Sequence, residues 1–258
     1  MSMNGADWAR ARFAELVAAF ALLTRLPVQL LLVSKPAELA LAVWAYPIVG
    51  ACVGAIGGAI FWIAVSFGFP PAIAAVYALA ATVLATGALH EDGLVDAADG
   101  LAGKTREQSL IIMRDHQIGT YGAVALLLSL GLRAAALTLL AEPHVVMAAL
   151  IATGAASRSS ATALMAALPH ARKDGLSVAA GRPSATTAVV AAALTLLIGL
   201  LLLPFGTTVG VLASALIAAA IVGCIALARL GGQTGDVLGA CCQLSECAGL
   251  TLIVALAA

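Results

Sequence analysis

The run His90-Glu91-Asp92-Gly93-Leu94-Val95-Asp96-Ala97-Ala98-Asp99-Gly100 has the residue types for metal-assisted chemistry. Read as helix, Asp92, Asp96 and Asp99 stand at i, i+4 and i+7, within about a 60° arc of one face and over about 10 Å of axis. Successive carboxylates then lie about 5–6 Å apart, and at an effective dielectric of 20 each pair repels by ~3 kcal/mol. No basic residue interleaves them; Lys104 and Arg106 follow only later. Three like charges so placed want a cation. Carboxylate oxygens suit Mg²⁺ or Mn²⁺, and Mg²⁺ commonly takes one or two carboxylates plus the phosphates of a substrate. Gly93 and Gly100 leave room beside the acids for a ligand to approach the backbone. The bland alternative is a solvated acidic loop, but three acids on one arc beside an apolar span favour chemistry. His90 is either a ligand or base of that site or an interfacial hydrogen-bonding residue. Glu91 points away from the aspartate face.

Three further polar islands accompany this run. Arg114-Asp115-His116-Gln117-Ile118-Gly119-Thr120-Tyr121-Gly122 leads into an apolar stretch, and Asp115 is either a metal ligand or the cap of the helix that follows. In Gly231-Gly232-Gln233-Thr234-Gly235-Asp236, glycines such as Gly232 and Gly235 free backbone amides for an anion, and Asp236 adds a metal ligand or caps the last span. Pro169-His170-Ala171-Arg172-Lys173-Asp174-Gly175-Leu176 supplies cations for a phosphate, Arg172 and Lys173, with Arg158 nearby in the sequence. Singly, each cation reads as a topology determinant. Acids, glycines and bases on one membrane face read together as a phosphoryl-transfer site.

The elements that must hold these residues are transmembrane helices. Of 258 residues, 62% are apolar and 10% charged, and mean hydropathy is +1.07. A soluble domain has about 25% charged residues. The net charge is zero and no nucleic-acid partner is expected. Five cysteines with no C-x-x-C pair suggest packing residues and neither disulfides nor zinc. A secretory signal is not expected, because Glu15 interrupts the apolar stretch after Arg10 and Arg12 and no A-x-A site follows. Phe13, Leu16, Val17, Phe20 and Leu23 recur at helical spacing, which suits an N-terminal helix that is interfacial or packed under the bundle and ends near Pro27.

Seven stretches are long enough to span a bilayer: approximately Pro47–Gly68, Ala72–Leu89, Gly119–Leu140, Val145–Leu168, Thr186–Leu203, Thr207–Leu230 and Val237–Ala258. Gln243, Ser245 and Glu246 weaken the last. Short connections alternate with longer charged ones. Of thirteen Lys and Arg, none falls in a short connection, four lie in the N-terminal segment, six in the long loops, and Arg229 at a long-loop end. The N-terminus and long loops are therefore expected on the cytoplasmic side and the C-terminus outside. Arg133 and Arg158 are left inside spans and need a cavity or partner. The expectation is an all-α polytopic bundle of about seven spans, one integral-membrane domain over residues 1–258, with small residues in close helix contacts.

In this order, the motifs resemble the cobalamin synthase family, the adenosylcobinamide-GDP ribazoletransferases of bacteria and archaea. Leu23-Thr24-Arg25-Leu26-Pro27 is similar to its L-T-R-x-P, and Tyr46-Pro47-Ile48-Val49-Gly50 to its aromatic-P-x-x-G. His90 through Gly100 resembles the family's most diagnostic stretch, H-x-D-G-L-x-D-x-x-D-G. Asp115-x-x-x-Gly119-x-x-Gly122, Ser157-Arg158, Arg172 with Gly175-Leu176, and Gly231-Gly232-x-Thr234-Gly235-Asp236 with Gly239-Ala240 complete a series that runs nearly the whole chain. Glu91 departs from it, standing where the family more often has an apolar residue.

The resemblance implies that adenosylcobinamide-GDP and α-ribazole, or its 5′-phosphate, are joined with release of GMP, with Mg²⁺ as cofactor. It implies a multi-pass protein of the bacterial cytoplasmic (inner) membrane with its active site on the cytoplasmic face. Metal binding carries over to Asp92, Asp96 and Asp99, and to Asp115 and Asp236; phosphate contact carries over to Arg158, Arg172 and Lys173. Whether copies form a homo-oligomer is left open. Two rivals are weaker. A CDP-alcohol phosphatidyltransferase has D-G-x-x-A-R, and the A-R is missing here. A transporter would place polar residues near the midplane, with Arg133, Arg158 and Glu246 along a pathway.

Overall fold

A computed structural model of the chain describes residues 5–28, 39–115 and 117–257. His116 and Ala258 lie outside the described residues. Every regular element among those described is helical, and the one bridge outside helices joins His170 to Gln233. The elements are α1 (Gly5–Leu23), α2 (Leu39–Ala42), a 3₁₀ turn (Val43–Ala45), α3 (Tyr46–Ser66), α4 (Pro71–Thr86), α5 (Leu89–Gly100) and α6 (Arg106–Ile112). They continue with α7 (Thr120–Leu140), α8 (Pro143–Ala167), α9 (Leu176–Ala180), α10 (Ala185–Leu202), α11 (Phe205–Leu230) and α12 (Gly235–Ala257). Proline begins α4 and α8 and precedes α11, where its missing N–H costs no hydrogen bond.

The seven expected stretches correspond to α3, α4, α7, α8, α10, α11 and α12. By length and composition five of these helices qualify as membrane spans alone, counting α3 with α2, and α4 with α5 makes a sixth bent by 89°. The second span is thus shorter than expected: α4 ends at Thr86. Gly87 and Ala88 both take left-handed φ (65° and 58°), and the acidic run forms a separate helix. A left-handed residue with a Cβ costs roughly 1–2 kcal/mol, so this corner is held from outside. The Arg25 amide donates to the Ala85 carbonyl at 2.8 Å, and the Arg25 side chain lies where a Cβ on Gly87 would be. The remaining stretch, α8, has 25 residues but is interrupted by Ser157, Arg158, Ser159 and Ser160. It is the central helix, with most of its C-terminal two-thirds buried.

Small residues set the core. A Cβ on Gly50 would strike the Gly154 carbonyl, so α3 and α8 touch backbone to backbone, as small-residue membrane interfaces do. Outward-facing Leu127, Leu128 and Leu139 of α7, Leu201 of α10 and Ile217 of α11 remain exposed, which is the surface lipid covers in a multi-pass membrane protein. The N-terminal helix α1 is packed. Val17, Ala18, Ala19 and Leu23 are buried against the 3₁₀ turn and α3, while Phe13, expected on the apolar stripe, is exposed. Buried Glu15 is satisfied by Arg12 at 2.5 Å and by the Trp44 indole at 2.6 Å.

Candidate active site

The three aspartates of the acidic run do lie on one helix, α5, but its neighbours divide them. Asp92 and Asp96, one turn apart, line an open cleft of about 800 Å³ whose opposite wall includes Met113, Arg114, Asp115, Gln117 and Ile118. Asp92 is exposed and Asp96 half-buried. Across the cleft is Asp115, whose Oδ1 accepts the Gln117 amide at 3.1 Å. Asp115 therefore closes a local turn and does not cap α7.

That cap is Asp99. Its Oδ2 accepts the Gly119 amide and its Oδ1 the Gly122 amide, each at 2.8 Å, so a buried carboxylate from α5 satisfies the free amides at the start of α7. Asp99 is not among the cleft walls, and a Cβ on Gly119 or Gly122 would displace its carboxylate. Among the described residues no three His, Cys, Asp or Glu side chains converge closely enough to hold a metal ion. What the cleft offers is the Asp92–Asp96 pair with Asp115 opposite. That donor set suits a hard cation that keeps sites for water or phosphate.

The glycines do not act as expected. Gly93 packs against Gly239 of α12, where an added Cβ would lie 3.0 Å from the Gly239 Cα, and Gly100 is covered by Met113. Both serve helix packing and leave no opening for a ligand. Gly232 is likewise spent. Its amide caps α11 on the Ala226 carbonyl at 3.4 Å, and a Cβ would strike the Pro169 carbonyl. Gly235 opens α12, where Thr234 is the cap: the Thr234 Oγ1 accepts the Val237 amide at 3.2 Å. Asp236 is not that cap. Its Oδ2 accepts Arg172 at 2.6 Å and the Thr234 hydroxyl at 3.2 Å, close enough to Asp92 to feel its charge. Two residues expected to face metal and phosphate separately thus face each other. Lys173 is exposed, and Arg114 on the cleft wall pairs with exposed Asp174. Arg106 donates to the carbonyls of Leu230, at the end of α11, and Ala171, and Arg229 to those of Leu101 and Gly103, so α6, α11 and the loops after α5 and α8 are held together.

Arg158 is not among the residues that line the acid cleft. With Glu91, Arg133 and Glu246 it forms a buried network of two acids and two bases. Glu91 Oε1 accepts Arg133 at 3.2 Å and the Gln243 amide at 2.9 Å; Arg133 donates to Glu246 Oε2 at 3.1 Å, and Arg158 to Glu246 Oε1. These four residues tie α5, α7, α8 and α12 together. The expectation that Arg133 and Arg158 need partners holds, and the partners neutralise them. Glu91 and Glu246 were not singled out from the sequence as those partners. The signal was present: two arginines and two glutamates stranded in apolar helices. His90, on the other side of α5, is buried and lines a separate cavity with Arg158 and Tyr46.

Residues 15–254 match the family model described as cobalamin-5-phosphate synthase. The chain is 46% identical over 247 residues to the adenosylcobinamide-GDP ribazoletransferase of Bradyrhizobium diazoefficiens, covering 94% of each chain. It is 48% identical over 213 residues to that of Mesorhizobium japonicum, covering 82% of each. Against that of Azorhizobium caulinodans it is 45% identical over 223 residues, covering 83% of this chain and 84% of the relative. No solved structure matches the chain.

Proposed function

The chain belongs to the cobalamin-5-phosphate synthase family, and from that premise we propose that it joins adenosylcobinamide-GDP to α-ribazole or its 5′-phosphate, releasing GMP. A ribose hydroxyl of the acceptor attacks the phosphorus attached to cobinamide. A new P–O bond forms as the hydroxyl gives up its proton to solvent, the bond to the GMP phosphate breaks, and GMP leaves with that electron pair. The observation that carries this reading is the cleft lined by Asp92, Asp96 and Asp115. It brings exposed Asp92 and Asp115 and half-buried Asp96 to one space large enough for a diphosphate.

Asp92 and Asp96 would hold Mg²⁺, with Asp115 opposite them. The ion would draw charge from the diphosphate oxygens and favour departure of GMP. The protein's own contribution is position. Asp99 fixes the start of α7 against α5, and the Gly93–Gly239 contact fixes α5 against α12. Asp236 holds Arg172 beside the acids, where a phosphate can exchange for the carboxylate as its partner. The distribution of Lys and Arg supports an orientation with the acid cleft facing the cytoplasm of a bacterial inner membrane.

The test is GMP release from adenosylcobinamide-GDP plus α-ribazole by purified protein, with Mg²⁺ and with chelator. Release that needs both acceptor and Mg²⁺ supports the reading; release indifferent to chelator removes the metal role. CMP release from CDP-diacylglycerol would replace the whole assignment. For orientation, reporters in the loop after α5 should read inside and those at the C-terminus outside, and the reverse pattern overturns the topology.

A further inference from the structure

Behind α5 lies a second, partly open cavity that the acidic chemistry does not use. On α5, His90 and Asp92 are two residues and so about 200° apart. The acid cleft and this cavity therefore lie on opposite sides of one helix. The cavity's walls are mostly apolar, including Leu23, Leu89, Met165 and Leu238. Four of its lining residues are nevertheless polar and more than nine-tenths buried: Tyr46 (4% exposed), His90 (3%), Arg158 (3%) and Ser177 (2%). Three of them keep an atom with no hydrogen-bond partner among the described residues: Tyr46 Oη, His90 Nδ1 and Arg158 Nε. Buried polar atoms are nearly always paired, so three unpaired ones around one cavity point to a missing partner.

The walls narrow the chemistry of that partner. Arg158 is already neutralised by Glu246, so the cavity offers no net charge to attract a free phosphate. A lipid tail would fill the apolar volume and leave all three polar atoms unpaired, which costs free energy. A neutral, flat nitrogen heterocycle meets both demands. Its faces match the leucine and methionine walls, and its ring nitrogen accepts from or donates to the polar atoms. Gly235 lines the cavity, and the next residue, Asp236, feels the charge of Asp92. A sugar attached to a base in this cavity would emerge beside Gly235, toward the acids.

We propose that this cavity, walled by α1, α3, α5, α8, α9 and α12, receives the heteroaromatic base of the acceptor nucleoside. The acid cleft then takes the diphosphate of the donor. The assignment rests on the transferase reading for the identity of the nucleoside, but the cavity can be tested without turnover.

The experiment is equilibrium dialysis of a benzimidazole riboside against the full-length protein in detergent, without metal or donor. Wild type should bind one equivalent. Ala161→Leu projects a larger side chain from the α8 wall and should weaken binding at least about tenfold, while affinity for adenosylcobinamide-GDP stays unchanged. Tyr46→Phe changes no volume to speak of, which guards against misfolding of the first variant. It should weaken the riboside up to about tenfold, the worth of one neutral hydrogen bond, and should not affect an indene analogue that lacks the ring nitrogens. No binding by wild type, equal binding by Ala161→Leu, or a loss confined to the donor would each overturn the proposal. Cavity-dependent binding by a protein that releases no GMP would remove the transferase reading and leave the heterocycle site standing.

Discussion

Glu91 and Asp92 are neighbours in the chain, yet they belong to regions with opposite electrostatic solutions. Glu91 turns into the bundle, where Arg133 and Gln243 take one of its oxygens and the network continues through Glu246 to Arg158. Asp92 turns outward into an open cleft that Asp96, Arg114 and Asp115 also line. Inside the bundle, charge is balanced two against two, because an unpaired ion there costs several kcal/mol. In the cleft, solvent reaches exposed Asp92 and Asp115 and screens their charge. Charge paired inside the bundle holds helices in place; charge at the open cleft is within reach of a ligand.

The largest effect should come from breaking the balanced region. Arg133→Met leaves buried carboxylates without their shared base and should destabilise the protein by about 3–5 kcal/mol, read as a fall in thermal midpoint in detergent. Adding Glu91→Gln to it should recover part of that loss. Asp92→Asn should do the reverse, lowering GMP release by roughly 10²–10³-fold with the thermal midpoint unchanged. An unfolded Asp92→Asn protein would erase the distinction between the two regions.

Finer changes sharpen it. Asp96→Asn should raise the Mg²⁺ needed for half-maximal release by about tenfold or more, with a parallel loss of Mn²⁺ binding followed by electron paramagnetic resonance. Asp99→Ala removes the cap of α7 and should cost about 1–2 kcal/mol of stability, with turnover per folded molecule largely kept. A collapse of turnover at full stability would return Asp99 to the metal site. Asp174→Asn, at an exposed pair with Arg114 on the cleft rim, should leave thermal stability unchanged within error, since exposed pairs contribute little.

Much of this architecture was legible beforehand. The apolar stretches matched helices to within a few residues, and the alternation of short and charged connections is the one the helices use. Helical spacing correctly put Asp92, Asp96 and Asp99 on one helix. It did not reveal that Asp99 would be claimed by amides of Gly119 and Gly122, twenty residues or more away. Nor did it reveal that Gly93 would be filled by Gly239. Arg133 and Arg158 were recognised as needing partners, but nothing in their own helices names Glu246. His90 was weighed as part of the acid site because it is close in sequence, yet on a helix two residues of separation is nearly half a turn.

The division has a physical cause. Hydropathy and periodicity are local properties, fixed by the side-chain order along each helix, so the sequence by itself determined the helices, the membrane class and the acidic face. Which donor meets which carboxylate depends on how separate helices approach and rotate against each other. Only the tertiary structure decided that the acids on α5 would divide into two that face an open cleft, one that caps α7, and a neighbouring glutamate locked into a neutral core.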